Sequence, residues 1–117
     1  MATTVQSRKA KGRRLQQLVR DTVISHFDGL TLDDVRSTSM GAGGADVLLS
    51  PRAKEVFPYA VECKAQEGYK KLYDAYEQAG THTERGDLTP LLVIKSNNKE
   101  PLAIISFQTF MELAKVK

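Results

Sequence analysis

Apolar side chains at Leu15, Leu18, Val19, Val23 and Phe27, with Thr22 among them, recur at three- and four-residue intervals. That spacing predicts a helix from about Lys11 to Phe27, with basic and amide residues on its other face. Residues 1–8, small and polar without period, read as a flexible basic lead-in, and Asp28-Gly29 as the turn that ends the helix. Leu32 to Thr38 is expected to form a short strand, with Leu32 and Val35 as its apolar residues. The glycine-rich Ser39 to Ala45 is expected to be a loop. Asp46-Val47-Leu48-Leu49 and Tyr59-Ala60-Val61-Glu62-Cys63-Lys64 are β-prone runs. Ser50 to Pro58 between them, with two prolines and three charged residues, suits a hairpin connection.

A second helix is expected from Tyr69 to Ala79, with Leu72, Tyr76 and Ala79 on one face, followed by a polar loop from Gly80 to Asp87. Pro90 to Lys95 and Leu102 to Phe107 are continuous apolar runs, as in strands covered on both faces, and Ser96 to Pro101 between them is rich in turn residues. Thr109 and Glu112 have the spacing of a capping box and open a closing helix. The order is α-β-β-β-α-β-β-α, an α/β (α+β) architecture with a mixed sheet flanked by helices. At 117 residues this is expected to be one domain with one core.

Composition narrows the chemistry. A single cysteine, Cys63, excludes an internal disulfide framework, and with only two histidines, a Cys- or His-based metal cage is not expected. No apolar run is long enough to span a bilayer and the N-terminus lacks a signal-peptide core, so a cytoplasmic location and no membrane partner are expected. The net charge of +3 is unevenly placed: Arg8, Lys9, Lys11, Arg13, Arg14 and Arg20 precede the first acid, Asp21. Such a segment is the footprint of a polyanion partner or, equally, a solvated terminus.

Asp46 opens one expected strand and Glu62-Cys63-Lys64 lies in the next. Alternation puts Glu62 and Lys64 on one face, and a hairpin would bring Asp46 beside them. Two converging carboxylates, with the Cys63 carbonyl as a third oxygen, suit a hard divalent cation, Mg²⁺ above all, with Mn²⁺ as a substitute. A lysine beside that cation can orient water or stabilise charge on phosphorus. The alternative is a Glu–Lys pair on the solvent face of an amphipathic strand with Asp46 in a turn. The glycine loop from Ser39 to Gly44 has no P-loop ending. It could still let the backbone approach a phosphate with Ser37 or Ser39 as donors, or be a plain turn.

Together these segments resemble the PD-(D/E)XK nuclease superfamily, Ala45-Asp46 standing at the P-D position and Glu62-Cys63-Lys64 as the E-x-K. More narrowly, Lys11-Gly12-Arg13-Arg14-Leu15, Val35-Arg36-Ser37, Val61-Glu62-Cys63-Lys64-Ala65 and Val93-Ile94-Lys95 are similar to segments of archaeal-type Holliday junction resolvases, including versions carried by phages. The resemblance runs from about Lys11 to Phe107 and rests on the order and spacing of short motifs. It implies a restriction-endonuclease-like fold and a Mg²⁺-dependent endonuclease that nicks four-way DNA junctions in symmetric pairs as a homodimer. Asp46 and Glu62 would hold the metal, with the Cys63 carbonyl, and Lys64 would serve the nucleophile. Gln16 stands where the family has a metal-site glutamate, with Gln17 beside it. Ala45 replaces the motif's proline, a backbone preference only. The resemblance also implies that Arg36 clamps phosphate, alongside Arg8, Lys9, Lys11, Arg13, Arg14, Ser37 and Ser39 as DNA contacts. Rival readings are a nicking, repair or restriction-like nuclease of the same superfamily, and a catalytically silent DNA-binding module.

Other residues carry less. Lys70 and Lys71 with Tyr69, Tyr73 and Tyr76 read as helix surface and core edge rather than a stacking platform, Gln78 as a possible DNA-facing residue, and His82 as a loop residue. Cys63 points inward and inert. Phe107, Phe110, Met111 and Leu113 could form a subunit interface or complete the core.

Overall fold

The structure is a computed structural model, and it describes residues 5–38, 45–81 and 88–116. It is mixed α+β, with four α-helices and two antiparallel two-stranded sheets among the described residues. The chain packs as two compact units, one of Met1–Gln66 with Ala114–Lys117, the other Glu67–Leu113.

In the first unit, helix α1 spans Val5–His26 and packs on strands β1 (Val35–Ser37) and β2 (Val47–Leu49). It begins six residues before the expected Lys11, taking up the second half of what reads as a lead-in. Gly12, Gln16, Val19 and Val23 are buried, and Phe27 just past the helix continues the line. These steps of four and three residues define one helical face. Leu18 falls off that face and is 57% exposed, so the inward stripe contains Gln16 and not Leu18. Gly29, at φ +86°, turns the chain out of α1 in a left-handed conformation that glycine adopts without strain.

The expected strand from Leu32 contracts to β1 because Thr31 to Asp34 folds back as a turn. Asp34 N–H donates to Thr31 O at 2.9 Å, and Thr31 N–H donates to the Asp34 carboxylate at 2.9 Å. Pairing of β1 with β2 runs Val35↔Leu49, Arg36↔Leu48 and Ser37↔Val47. Val35 and Val47 point into the core with Val19, Val23 and Leu30, and Arg36 and Leu48 face outward.

Ser50 to Pro58 is not a simple hairpin connection. It contains helix α2 (Pro51–Val56): Ser50 Oγ accepts Ala53 N–H at 3.1 Å as the N-cap, and Pro51 occupies the first turn where its missing N–H costs nothing. Phe57 after α2 is buried against Phe27 at 6.1 Å between ring centroids. Residues 59–64 then run without a strand ladder, so the third expected strand is absent as a regular element. Pro58, at the entrance to this segment, supplies no N–H, and the segment meets Asp46 through single bonds, Asp46 N–H to Val61 O and Cys63 N–H to Asp46 Oδ2, rather than through a ladder.

In the second unit, a 3₁₀ turn (Glu67–Tyr69) leads into α3 (Lys70–Gly80), within a residue of the expected helix. Leu72, Tyr76 and Ala79 are half-buried as their spacing requires, and Tyr76 Oη accepts Ser106 N–H at 3.1 Å. Strands β3 (Leu92–Ile94) and β4 (Leu102–Ile104) pair antiparallel, Leu92↔Ile104 and Ile94↔Leu102, through a turn in which Asn98 takes φ +62°. They form a separate two-stranded sheet rather than part of one mixed sheet. Nor are they covered on both faces: Leu91, Val93 and Leu102 are each more than half exposed.

Helix α4 spans Phe107–Lys115 and starts two residues before the expected Thr109. Its cap is Ser106, whose Oγ accepts Thr109 N–H at 3.1 Å, in place of a Thr109–Glu112 box. Met111 is fully buried, Phe110 half-buried, and Phe107 and Leu113 are exposed, so only part of that apolar set completes a core. No helix among the described residues is long and apolar enough to cross a membrane.

Candidate metal centre

Asp46 sits one residue before β2, and two chain segments fix it. Its carbonyl accepts Thr38 N–H at 3.1 Å and Thr38 Oγ1–H at 3.2 Å, one step beyond the β1–β2 ladder. Its own N–H donates to Val61 O at 2.9 Å. Its Oδ2 accepts Cys63 N–H at 2.7 Å, a short bond of the charge-assisted kind. Among the described residues Asp46 Oδ1 accepts nothing, which makes it the oxygen open to a ligand.

The E-x-K segment therefore lies beside Asp46 although it is not a strand. Burial still alternates: Val61, Cys63 and Ala65 are half-buried, while Glu62 and Lys64 are exposed. Glu62 and Lys64 share the outward face as their spacing requires, with Lys64 Nζ 3.5 Å from Glu62 Oε1. Both side chains are more than 60% exposed, so this pair contributes little to stability and is available to a third charged group. The Cys63 thiol is pushed up by burial first, then by the negative charges of Asp46 and Glu62. Cys63 is thus a protonated, half-buried thiol, and its contribution to a metal would be its carbonyl.

Gln16 lies on the buried face of α1 at 2% exposure, its Oε1 shielded from solvent. Gln17 beside it is exposed. A glutamine is the one polar side chain in the buried set among the described residues, on the helix that packs on β1 and β2.

Of the expected DNA contacts, Arg8, Lys9, Arg13 and Arg14 are exposed along α1, and Lys11 is half-buried on the same helix. Arg36 projects from β1, 3.8 Å from Asp33, on the outward face with Leu48; Ser37 is half-buried. Ser39, the glycines that follow it and His82 lie outside the described residues. In the second unit Lys70 pairs with Asp74 at 2.8 Å, Lys71, Tyr73 and Gln78 are exposed, and Tyr69 is half-buried.

Sequence reasoning missed three contributors. Thr38 holds the Asp46 carbonyl through two donors, and its β-branched hydroxyl at the end of a strand was a readable signal. Lys54 and Tyr59 line an open groove next to Asp46, and nothing in their spacing marks them. No family model, no curated protein and no solved structure matches the chain.

Proposed function

We propose that the chain is a Mg²⁺-dependent DNA endonuclease with Asp46, Glu62 and Lys64 at its centre. The observation that carries this reading is the Cys63 N–H bond to Asp46 Oδ2, which sets the E-x-K segment beside the aspartate. The donor set suits the ion: Asp46 Oδ1, the Glu62 carboxylate and the Cys63 carbonyl are all hard oxygens. Among the described residues no group of three or more His, Cys, Asp and Glu side chains gathers. Mg²⁺ keeps several of its waters and takes a phosphate oxygen directly, so a few oxygen donors would suffice to hold it, with Mn²⁺ as a substitute. When bound, the ion would neutralise charge on the scissile phosphate.

The chain's own groups do the rest. Lys64 Nζ, already at Glu62, holds the attacking water or the developing charge on a phosphate oxygen. Water adds to phosphorus in line and gives up a proton to solvent, the P–O3′ bond breaks to leave a 5′-phosphate, and the 3′ oxygen takes a proton from solvent and leaves as a hydroxyl. Arg8, Lys9, Arg13, Arg14 and Arg36 neutralise flanking phosphates, which makes activity fall as salt rises. Gln16, buried on α1, would be an accessory to this centre, its hold on metal or water weaker or indirect because the amide carries no charge.

The finer reading is a restriction-endonuclease-like Holliday junction resolvase, phage-carried or archaeal in type, working in the cytoplasm as a C2 homodimer on branched double-stranded DNA. It is supported by the order of the motifs and by a basic helix in the same unit as the carboxylates. Two-fold symmetry would give two coordinated sites for paired nicks. The test compares a four-way junction, a nicked duplex and a linear duplex under Mg²⁺. Symmetric paired nicks confined to the junction are expected; equal cutting of linear duplex would leave a general nuclease.

One observation favours a second reading, a DNA-binding module without catalysis: Glu62 and Lys64 are exposed and paired to each other. Tight junction binding with no product under either metal would establish it.

A further inference from the structure

The two flanks of α1 differ in chemistry. Its buried line is Gly12, Gln16, Val19 and Val23. At about 100° per residue, Gln6, Lys9, Arg13, Gln17 and Arg20 fall on one line beside it, in steps of three and four residues. Lys11, Leu15, Leu18 and Thr22 make up the flank on the other side, and Arg14 and Asp21 stand opposite the buried line. The first flank thus holds three cations, two amides and no acid. It runs for roughly 21 Å, the axial length of about six nucleotides of one strand. Gln6, Lys9, Arg13 and Gln17 are exposed, and none of their side chains has a hydrogen bond or ion pair among the described residues. Arg20 is half-buried and donates Nε–H to Asp21 at 2.8 Å, which leaves the other N–H groups of its fork for a second acceptor.

A merely solvated helix face mixes signs, because opposite charges three or four residues apart stabilise it. This flank does the reverse. Lys9 and Arg13, four residues apart, repel each other. Arg8 and Lys9 stand near the N-terminal end, where the helix dipole favours anions, and α1 has no acid in its first turn. Both arrangements cost the free helix stability, and both become favourable when a row of negative charges lies along the flank. The amides point to the kind of polyanion. A glutamine adds nothing to the attraction of a charged surface, but it donates hydrogen bonds to phosphate and sugar oxygens.

We propose that one strand of the DNA backbone lies along this flank of α1, with Lys9, Arg13 and Arg20 on its phosphates and Gln6 and Gln17 donating to oxygens between them. The inference rests on the DNA-binding part of the nuclease reading and gives it a direction: the strand follows the helix axis, and Gln6, Gln17 and Arg20 join the contacts. Arg14, on the far side of the helix, acts through a longer, screened attraction.

The experiment measures binding of a fluorescein-labelled duplex by anisotropy in magnesium-free buffer at stepped salt. Gln17→Lys and Leu18→Lys raise the net charge equally, and both positions are exposed. Gln17→Lys should steepen the slope of log affinity against log salt by about 0.9, while Leu18→Lys should keep the wild-type slope. Arg13→Ala should make the slope shallower by about 0.9, and Arg13→Lys should restore it. Equal steepening by the two lysine variants, or a wild-type slope in Arg13→Ala, would overturn the strand path and leave the nuclease reading standing. Absence of wild-type binding to any DNA, with or without binding to vesicles of an anionic phospholipid, would overturn both.

Discussion

Asp46 is held by its backbone on both sides and by one side-chain oxygen, which separates its fold role from its charge. Asp46→Asn keeps the Thr38 and Val61 bonds and an acceptor for Cys63 N–H, but removes the negative charge. Its thermal unfolding should match the wild type while Mg²⁺-dependent cleavage falls by about a hundredfold or more. Asp34 has the opposite character. Its carboxylate accepts Thr31 N–H and Ser50 Oγ–H, and these bonds, with nearby Arg52, hold its pKa below the ordinary aspartate value. The stability it adds is therefore complete above the ordinary carboxylate range and is lost as pH falls through the lowered folded value. Asp34→Asn should lower stability at neutral pH and flatten the acid side of the stability–pH curve, as measured by urea unfolding at stepped pH. Of these two residues, Asp46 could be singled out in the sequence because a carboxylate opens an apolar run. Asp34 could not, since Thr31 lies in its own turn but Ser50 reaches it only through the β1–β2 pairing.

Periodicity made some elements legible and not others. Helices α1 and α3 and the β3–β4 pair follow from spacing and from the turn residues between them. Helix α2 was missed because six residues are too few for a period to show; its signature was the cap, Ser50 followed by Pro51. Ser50→Ala should cost about 1 kcal/mol of unfolding free energy, since it removes the α2 cap and the hydrogen bond to Asp34 together. Residues 59–64 show the reverse: alternation correctly assigned the faces of Glu62 and Lys64, but no ladder forms behind Pro58. For α1 the exposed basic residues make a separate prediction. Arg13→Glu with Arg14→Glu should weaken binding to every DNA sequence alike. The slope of log affinity against log salt should become shallower by about 0.9 for each phosphate no longer neutralised.

At the scale of the whole molecule, the carboxylates, the lysine, the basic helix and the groove all belong to the first unit. The second unit carries a hairpin whose Leu91 and Val93 are exposed, where the sequence pattern alone suggested strands covered on both faces. An apolar run reports that a strand avoids charge, not what covers it, so this difference was beyond the sequence. On the proposed function, one constellation in the first unit both requires a divalent cation and cuts DNA. The most direct measurement is a time course on an end-labelled four-way junction, wild type beside Asp46→Asn, with binding followed in the same samples and Mg²⁺ added last. Both proteins are expected to bind, only the wild type to cut, and the wild type only after Mg²⁺ arrives. Cleavage by Asp46→Asn at the wild-type rate, or wild-type cleavage in excess chelator, would contradict the proposed function.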